Sequence, residues 1–244
     1  IIYMYDVYIY MGTQILNTDF KRRYSVMQRV RVTKQPYGGY IPIKSFSKLD
    51  TTYADSDLYE GESINPAIVG LAVDYLTRSE TTHDAENSFK IPLLGAKLCG
   101  DIKEAKKILK NIQGLDDESI KNAAFLCGYD VIYRAGVMYY DPTTHIQILS
   151  DIDEKTCSNI REMVNRTLKF IDEYGPIIKD GFDLAGGYSD IVVAGDGDYL
   201  MHDSLWDLKT SKKAPTSAMS LQLAMYWRMG LRSVYPEFKD IEYI

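Results

Sequence analysis

Cysteine is scarce in this chain of 244 residues: Cys99, Cys127 and Cys157 stand far apart, and no C-x-x-C pair occurs. That spacing argues against a disulfide framework and against a zinc or iron–sulfur cage, and it fits a reducing compartment. No apolar run approaches the roughly 18–20 residues that span a bilayer. The longest, Ile68–Val73, stops at Asp74, so no membrane anchor is expected and a cytoplasmic location is. Ile1–Met11 lacks the basic start and small-residue cleavage site of a secretory signal. Because the chain opens on Ile, further residues are expected before it, and the apolar Ile241–Ile244 reads as a strand cut short. Also missing are a G-x-x-x-x-G-K-[ST] loop, a G-x-S-x-G elbow and any close pair among His83, His145 and His202. These absences exclude a nucleotide-driven motor within the chain, a serine hydrolase of the elbow type and a histidine metal cage.

What is present is ordinary for a globular protein, with 45% hydrophobic and 25% charged residues, and 28 basic against 34 acidic side chains give a net charge of −6. One domain, 1–244, fits this length. Charge is uneven: Phe20–Lys34 holds Lys21, Arg22, Arg23, Arg29, Arg31 and Lys34 without a carboxylate. Residues 1–60 read as extended and loop-rich, with no helix. Tyr3, Tyr5, Tyr8 and Tyr10 there suit half-buried strand faces, or stacking platforms for bases. Asn65 as N-cap and Pro66 at the first helical position open a first core helix within 61–80. Helical stretches follow at Ile102–Ile112, Glu118–Cys127 and Cys157–Tyr174, so 96–175 is mostly helical. Lys103, Lys106, Lys107 and Lys110 share one helix face there, expected to face solvent.

After Gly175 glycines punctuate short β-branched runs, and 181–244 reads as the catalytic core. Ser189–Ala194 and Ser204–Thr210 are expected to pair as a hairpin, with Asp196 and Asp198 as turn formers in its loop, and a helix runs from Thr216 to a glycine stop at Gly230. In the second strand Asp207 and Lys209 share one face, about 7 Å apart at roughly 3.3 Å per residue. Asp190 brings a second carboxylate from the neighbouring strand, while Gln222 and Tyr226, four apart, share a helix face. Two such carboxylates, with the Leu208 carbonyl and water, suit a hard ion such as Mg²⁺ or Mn²⁺. Such an ion activates water and neutralises a phosphoryl group, and Lys209 would stabilise the transition state. The tripeptide D/E-x-K occurs six times in the chain, but only the copy at Asp207 lies in an apolar strand.

Gly187-Tyr-Ser-Asp190, Trp206-Asp207-Leu208-Lys209-Thr210 and Gln222-Leu-Ala-Met-Tyr226 together resemble the signature of RecB-like nucleases of the PD-(D/E)XK superfamily. The resemblance implies a restriction-endonuclease-like α/β fold, a mixed sheet of four or five strands flanked by helices, with a helical insertion. It implies Asp190 and Asp207 as metal ligands, Lys209 as catalytic lysine, and Gln222 and Tyr226 as positioning residues. Gly70-Leu-Ala-Val-Asp74 is similar to the family's first motif and makes Asp74 a further candidate ligand. The activity implied is Mg²⁺- or Mn²⁺-dependent hydrolysis of DNA phosphodiesters, exonucleolytic in type, with a helicase or recombination partner as a separate chain. Lys212, Lys213, Arg228 and Arg232 would hold the DNA backbone. No cysteine follows Cys157, so the iron–sulfur cluster of some relatives is not expected. The alternative is a catalytically inactive DNA-binding or assembly protein on the same fold.

Overall fold

The computed structural model describes residues 23–47, 53–211 and 213–244. Lys21, Arg22, Lys212 and the early tyrosines fall outside them. A two-residue strand β1 (Tyr24–Ser25) leads into helix α1 (Val26–Val32). No helix was expected before residue 60. Its cause is local: the Ser25 side chain accepts from the Gln28 N–H, and the Gln28 side chain accepts from the Ser25 N–H. This capping box satisfies two donors that a helix start leaves open.

The helical layer begins at α2 (Pro66–Thr82), where the Asn65 carboxamide accepts from the Ala67 N–H at 2.9 Å. It continues through α3 (Ala85–Ser88), α4 (Lys90–Cys99), α5 (Ile102–Leu109), α6 (Asp117–Cys127), α7 (Asp130–Ala135), α8 (Pro142–Asp151) and α9 (Glu154–Tyr174). Asp84, Asp116, Asp141 and Asp153 cap α3, α6, α8 and α9 with their carboxylates, which places part of the acid surplus at the positive ends of helix dipoles. α2 runs through the middle of this layer, with Val69, Val73 and Leu76 in one core with Ile120 and Ala124 of α6 and Ile160 and Val164 of α9. Residues 53–63 lie along α9, where the N–H groups of Asp55, Tyr59 and Ser63 donate to Glu162, Asn159 and Thr156, three side chains spaced along one helix face. Lys106 and Lys107 are exposed and pair with Glu86 and Glu104.

The β layer follows. Strands β2 (Ile177–Asp183), β4 (Asp196–Met201) and β5 (Leu205–Trp206) form an antiparallel sheet in the order β2-β4-β5, while β3 (Val192–Ala194) pairs in parallel with β1. Helix α10 (Ser217–Gly230) packs its Tyr226 into a second core with Val26, Val30, Phe182, Leu200, Leu205 and Phe238. The protein is therefore mixed α/β, with small sheets flanked by helices. Among the described residues no helix is long and apolar enough to cross a membrane.

Three expectations are corrected. The hairpin joins β4 to β5 across His202–Ser204, and Ser189–Ala194 belongs to the other sheet. The described strands form two small sheets rather than one of four or five. Gly230 does not stop α10 by adopting a left-handed backbone, since Leu231 after it is still right-handed helical. Glycine is needed there because the Phe238 ring lies on it, and a Cβ would sit 2.0 Å from the ring's Cδ1. The same reason holds at Gly197, where a Cβ would come within 2.3 Å of the Phe182 ring. Both glycines, one at the end of a helix and one inside a strand, are packing contacts rather than turn signals.

Candidate functional site

The pleat of β4 puts Asp196 and Asp198 on one face and Gly197 and Tyr199 on the other. Asp198 is tied to the end of β5, because the Leu208 N–H donates to its Oδ2 at 2.7 Å. Asp207 follows Trp206, the last residue of β5, and its buried carboxylate accepts from the Gln222 amide at 3.0 Å. The same amide nitrogen lies 3.0 Å from the Tyr226 hydroxyl, so both α10 residues form one buried chain of hydrogen bonds to Asp207. Lys209 pairs with the other Asp207 oxygen and keeps a partly exposed ammonium.

From the helical layer, α2 brings Asp74 and Arg78, one turn apart. Arg78 grips Asp74 through two bonds, Nε to Oδ1 at 2.9 Å and NH2 to Oδ2 at 2.7 Å, and its NH2 lies 3.8 Å from Asp198 Oδ1. The Tyr199 hydroxyl donates to Asp74 at 3.3 Å. Gly70, one turn before Asp74, lets α2 approach the D-x-K segment: a Cβ there would meet the Thr210 hydroxyl at 3.1 Å. A second bridge runs from α7. Arg134 pairs with buried Asp130 at 2.7 Å and with Asp196 at 2.9 Å, while the Tyr75 hydroxyl donates to Asp130.

Five carboxylates (Asp74, Asp130, Asp196, Asp198, Asp207) thus meet three cations (Arg78, Arg134, Lys209), leaving an excess of two negative charges. Asp198 carries the strain of that imbalance. Burial first, and then the charges of Asp74 and Asp207, push its pKa up to about 7. Burial also raises Asp74 against the pull of Arg78, and Asp207 against the pull of Lys209. A surplus of two negative charges on hard oxygen donors is the electrostatic complement of one divalent cation. Among the described residues no three His, Cys, Asp or Glu side chains form a ready-made cage. In this arrangement the acids are met by Arg78, Lys209 and the donors just named.

The structure brings together Asp74, Asp207, Leu208, Lys209, Gln222 and Tyr226 of the sequence-based set. Asp190 is exposed, two residues before β3, and makes none of the contacts that tie the cluster together. Asp198 stands where Asp190 was expected, in a strand and not in a turn. A signal for it was available, since Gly195-Asp-Gly-Asp198 is a second G-x-x-D, followed directly by the apolar Tyr199-Leu-Met201. Arg78 was also missed, although it stands four residues after Asp74, the spacing of a helix ion pair. Lys213, Arg228 and Arg232 are exposed, with the Arg228 guanidinium 5.4 Å from the centre of the Trp227 ring. Lys212 lies outside the described residues. Comparison of the chain with family models, with curated proteins and with solved structures gives no match.

Proposed function

We propose that the chain is a divalent-metal-dependent nuclease that hydrolyses DNA phosphodiesters from DNA ends, on a restriction-endonuclease-like, RecB-type version of this α/β fold. The observation that carries the reading is the convergence of Asp198, the Asp207-x-Lys209 segment and the Gln222/Tyr226 pair, with Asp74 arriving from α2 over Gly70. Residues scattered over more than 150 positions of sequence meet at the end of one short hairpin.

Asp198 and Asp207, with the Leu208 carbonyl, would hold a Mg²⁺ or Mn²⁺ ion. Such an ion, when bound, acidifies a water and draws charge from a phosphoryl oxygen. The chain's own groups do the positioning. Gln222 fixes the rotamer of Asp207 and Tyr226 fixes Gln222, both from a buried helix face. The Leu208 N–H holds Asp198 in register with Asp207. Lys209 has the reach and exposure to move from Asp207 to a non-bridging phosphate oxygen or to the attacking water, as a compact point charge does. Lys213, Arg228 and Arg232 are exposed cations on the segment and helix that follow Lys209, suited to flanking phosphates.

The test is degradation of linear and covalently closed DNA, single- and double-stranded, by the wild type and by Asp207→Ala and Lys209→Ala, with Mg²⁺, Mn²⁺ or EDTA. Metal-dependent loss of linear DNA, absent in both variants and sparing circles, is the expected result. Equal inactivity of all three proteins with undiminished DNA binding would replace this reading by that of a binding module.

A further inference from the structure

The Arg78 guanidinium is built into the acid cluster more firmly than any other cation there. Its side chain is 10% exposed, against 38% for Lys209 and 40% for Arg134. It holds both oxygens of Asp74, reaches Asp198 at 3.8 Å and lies 5.6 Å from the centre of the Tyr75 ring. On its other side it rests on β2 where the chain has no side chain: a Cβ on Gly181 would lie 2.0 Å from NH1, and Gly181 has a φ of +49°. Four surrounding groups therefore fit one planar, permanently charged group. Lys209, in contrast, touches Asp207 from a flexible and partly exposed stem.

We propose that Arg78 is a resident cation of the site, taking the neutralising place beside Asp74 and Asp198, so that the site accepts one divalent ion, at Asp198 and Asp207, rather than two. The inference rests on the nuclease reading. A buried guanidinium with a bidentate partner does not leave at the approach of a solvated ion, because its departure would strand Asp74 without a counter-charge in a dry setting. A mobile ammonium can yield its carboxylate. Asp74 then serves as the anchor of Arg78 and as a source of negative field, with both its oxygens already accepting from Arg78 and Oδ1 also from Tyr199.

The test counts Mn²⁺ bound per purified full chain, by titration with the resonance signal of free Mn²⁺ as the readout. Wild type is expected to bind one ion, lost in Asp207→Asn, and Arg78→Gln is expected to bind a second ion or to hold the first at least tenfold more tightly. Two ions on wild type, or a folded Arg78→Gln protein with unchanged number and affinity, would overturn the proposal while leaving the nuclease reading intact. No ion on wild type would overturn the metal-dependent reading itself, and this inference with it. Should Arg78→Gln not fold, the count on wild type decides.

Discussion

Asp198 shares its surroundings with Asp74 and Asp207, and burial and those two charges hold its pKa near 7 against an ordinary value of 3.8. The folded protein without metal therefore keeps a proton on this group that the unfolded chain gives up above about pH 4. The corresponding stability is fully present below that pH and is lost as pH rises through about 7. Asn in place of Asp198 removes this penalty. Asp198→Asn is accordingly expected to melt higher than wild type at pH 8 in EDTA by several degrees, at about 2–4 °C per kcal/mol for a chain of this size, with the gap closing toward pH 5. The same variant should lose nuclease activity by at least ~100-fold, since Lewis-acid stabilisation is worth several kcal/mol and each 1.36 kcal/mol is tenfold. Asp190→Asn should change neither melting nor cleavage. Thermal scans at pH 5 and pH 8, run beside a DNA degradation assay, check all three statements. An Asp198→Asn protein as active as wild type, or an inactive Asp190→Asn, would return the ligand role to Asp190.

Strand β4 shows how an element can hide in a sequence. Its first residues, Asp196-Gly-Asp198 after Gly195, have the composition of a loop, and composition is what a reading by turn residues weighs. Gly197 is present for a different reason, the Phe182 ring lying against its backbone. Replacing Gly197 by Ala should destabilise the protein by about 1–3 kcal/mol through overpacking, measured by urea unfolding, and Phe182→Leu in the same chain should recover part of that loss. If the two changes were strictly additive, the packing account of Gly197 would fail. What was legible in the sequence is what local chemistry encodes: the Asn65-Pro66 start of α2, the helical middle and the Gln222/Tyr226 face, whereas the strand expected over Ser204–Thr210 is only Leu205–Trp206 and ends just before Asp207-x-Lys209. What was not legible depended on partners distant in the chain. The pairing of β3 with β1 is made by residues some 170 positions apart, and Asp198 joins the cluster through Arg78, 120 positions before it.

At the scale of the whole molecule, two apolar cores meet along a polar seam. The helical core holds α2, α6 and α9, the second core holds α1, α10 and much of the β layer, and the acid cluster lies where they join. Two bridges cross that seam, Arg78 between Asp74 and Asp198, and Arg134 between Asp130 and Asp196. The Arg134 bridge is anchored on a carboxylate with only 3% of its side chain exposed, which also accepts from the Tyr75 hydroxyl. Removing the cation leaves that carboxylate buried and unpaired, so Arg134→Ala should cost about 3–5 kcal/mol. If the cost arises from the stranded charge, neutralising it should restore folding: Asp130→Asn with Arg134→Met is expected to regain most of the lost stability, because a buried ion pair exchanged for neutral groups of similar volume is close to neutral. Asp196 loses its partner in that double variant, but the charge of the cluster is unchanged, with four carboxylates against two cations, whereas Arg134→Ala alone leaves it one charge more negative. DNA should then bind more weakly to Arg134→Ala than to wild type or the double variant, with the apparent Kd raised several-fold at low salt and the difference fading as salt screens the added charge. Urea unfolding followed by tryptophan fluorescence, together with DNA binding at two ionic strengths, separates the two effects. A double variant as unstable as Arg134→Ala would show instead that the bridge's contribution lies in the geometry of the guanidinium and not in the charge it covers.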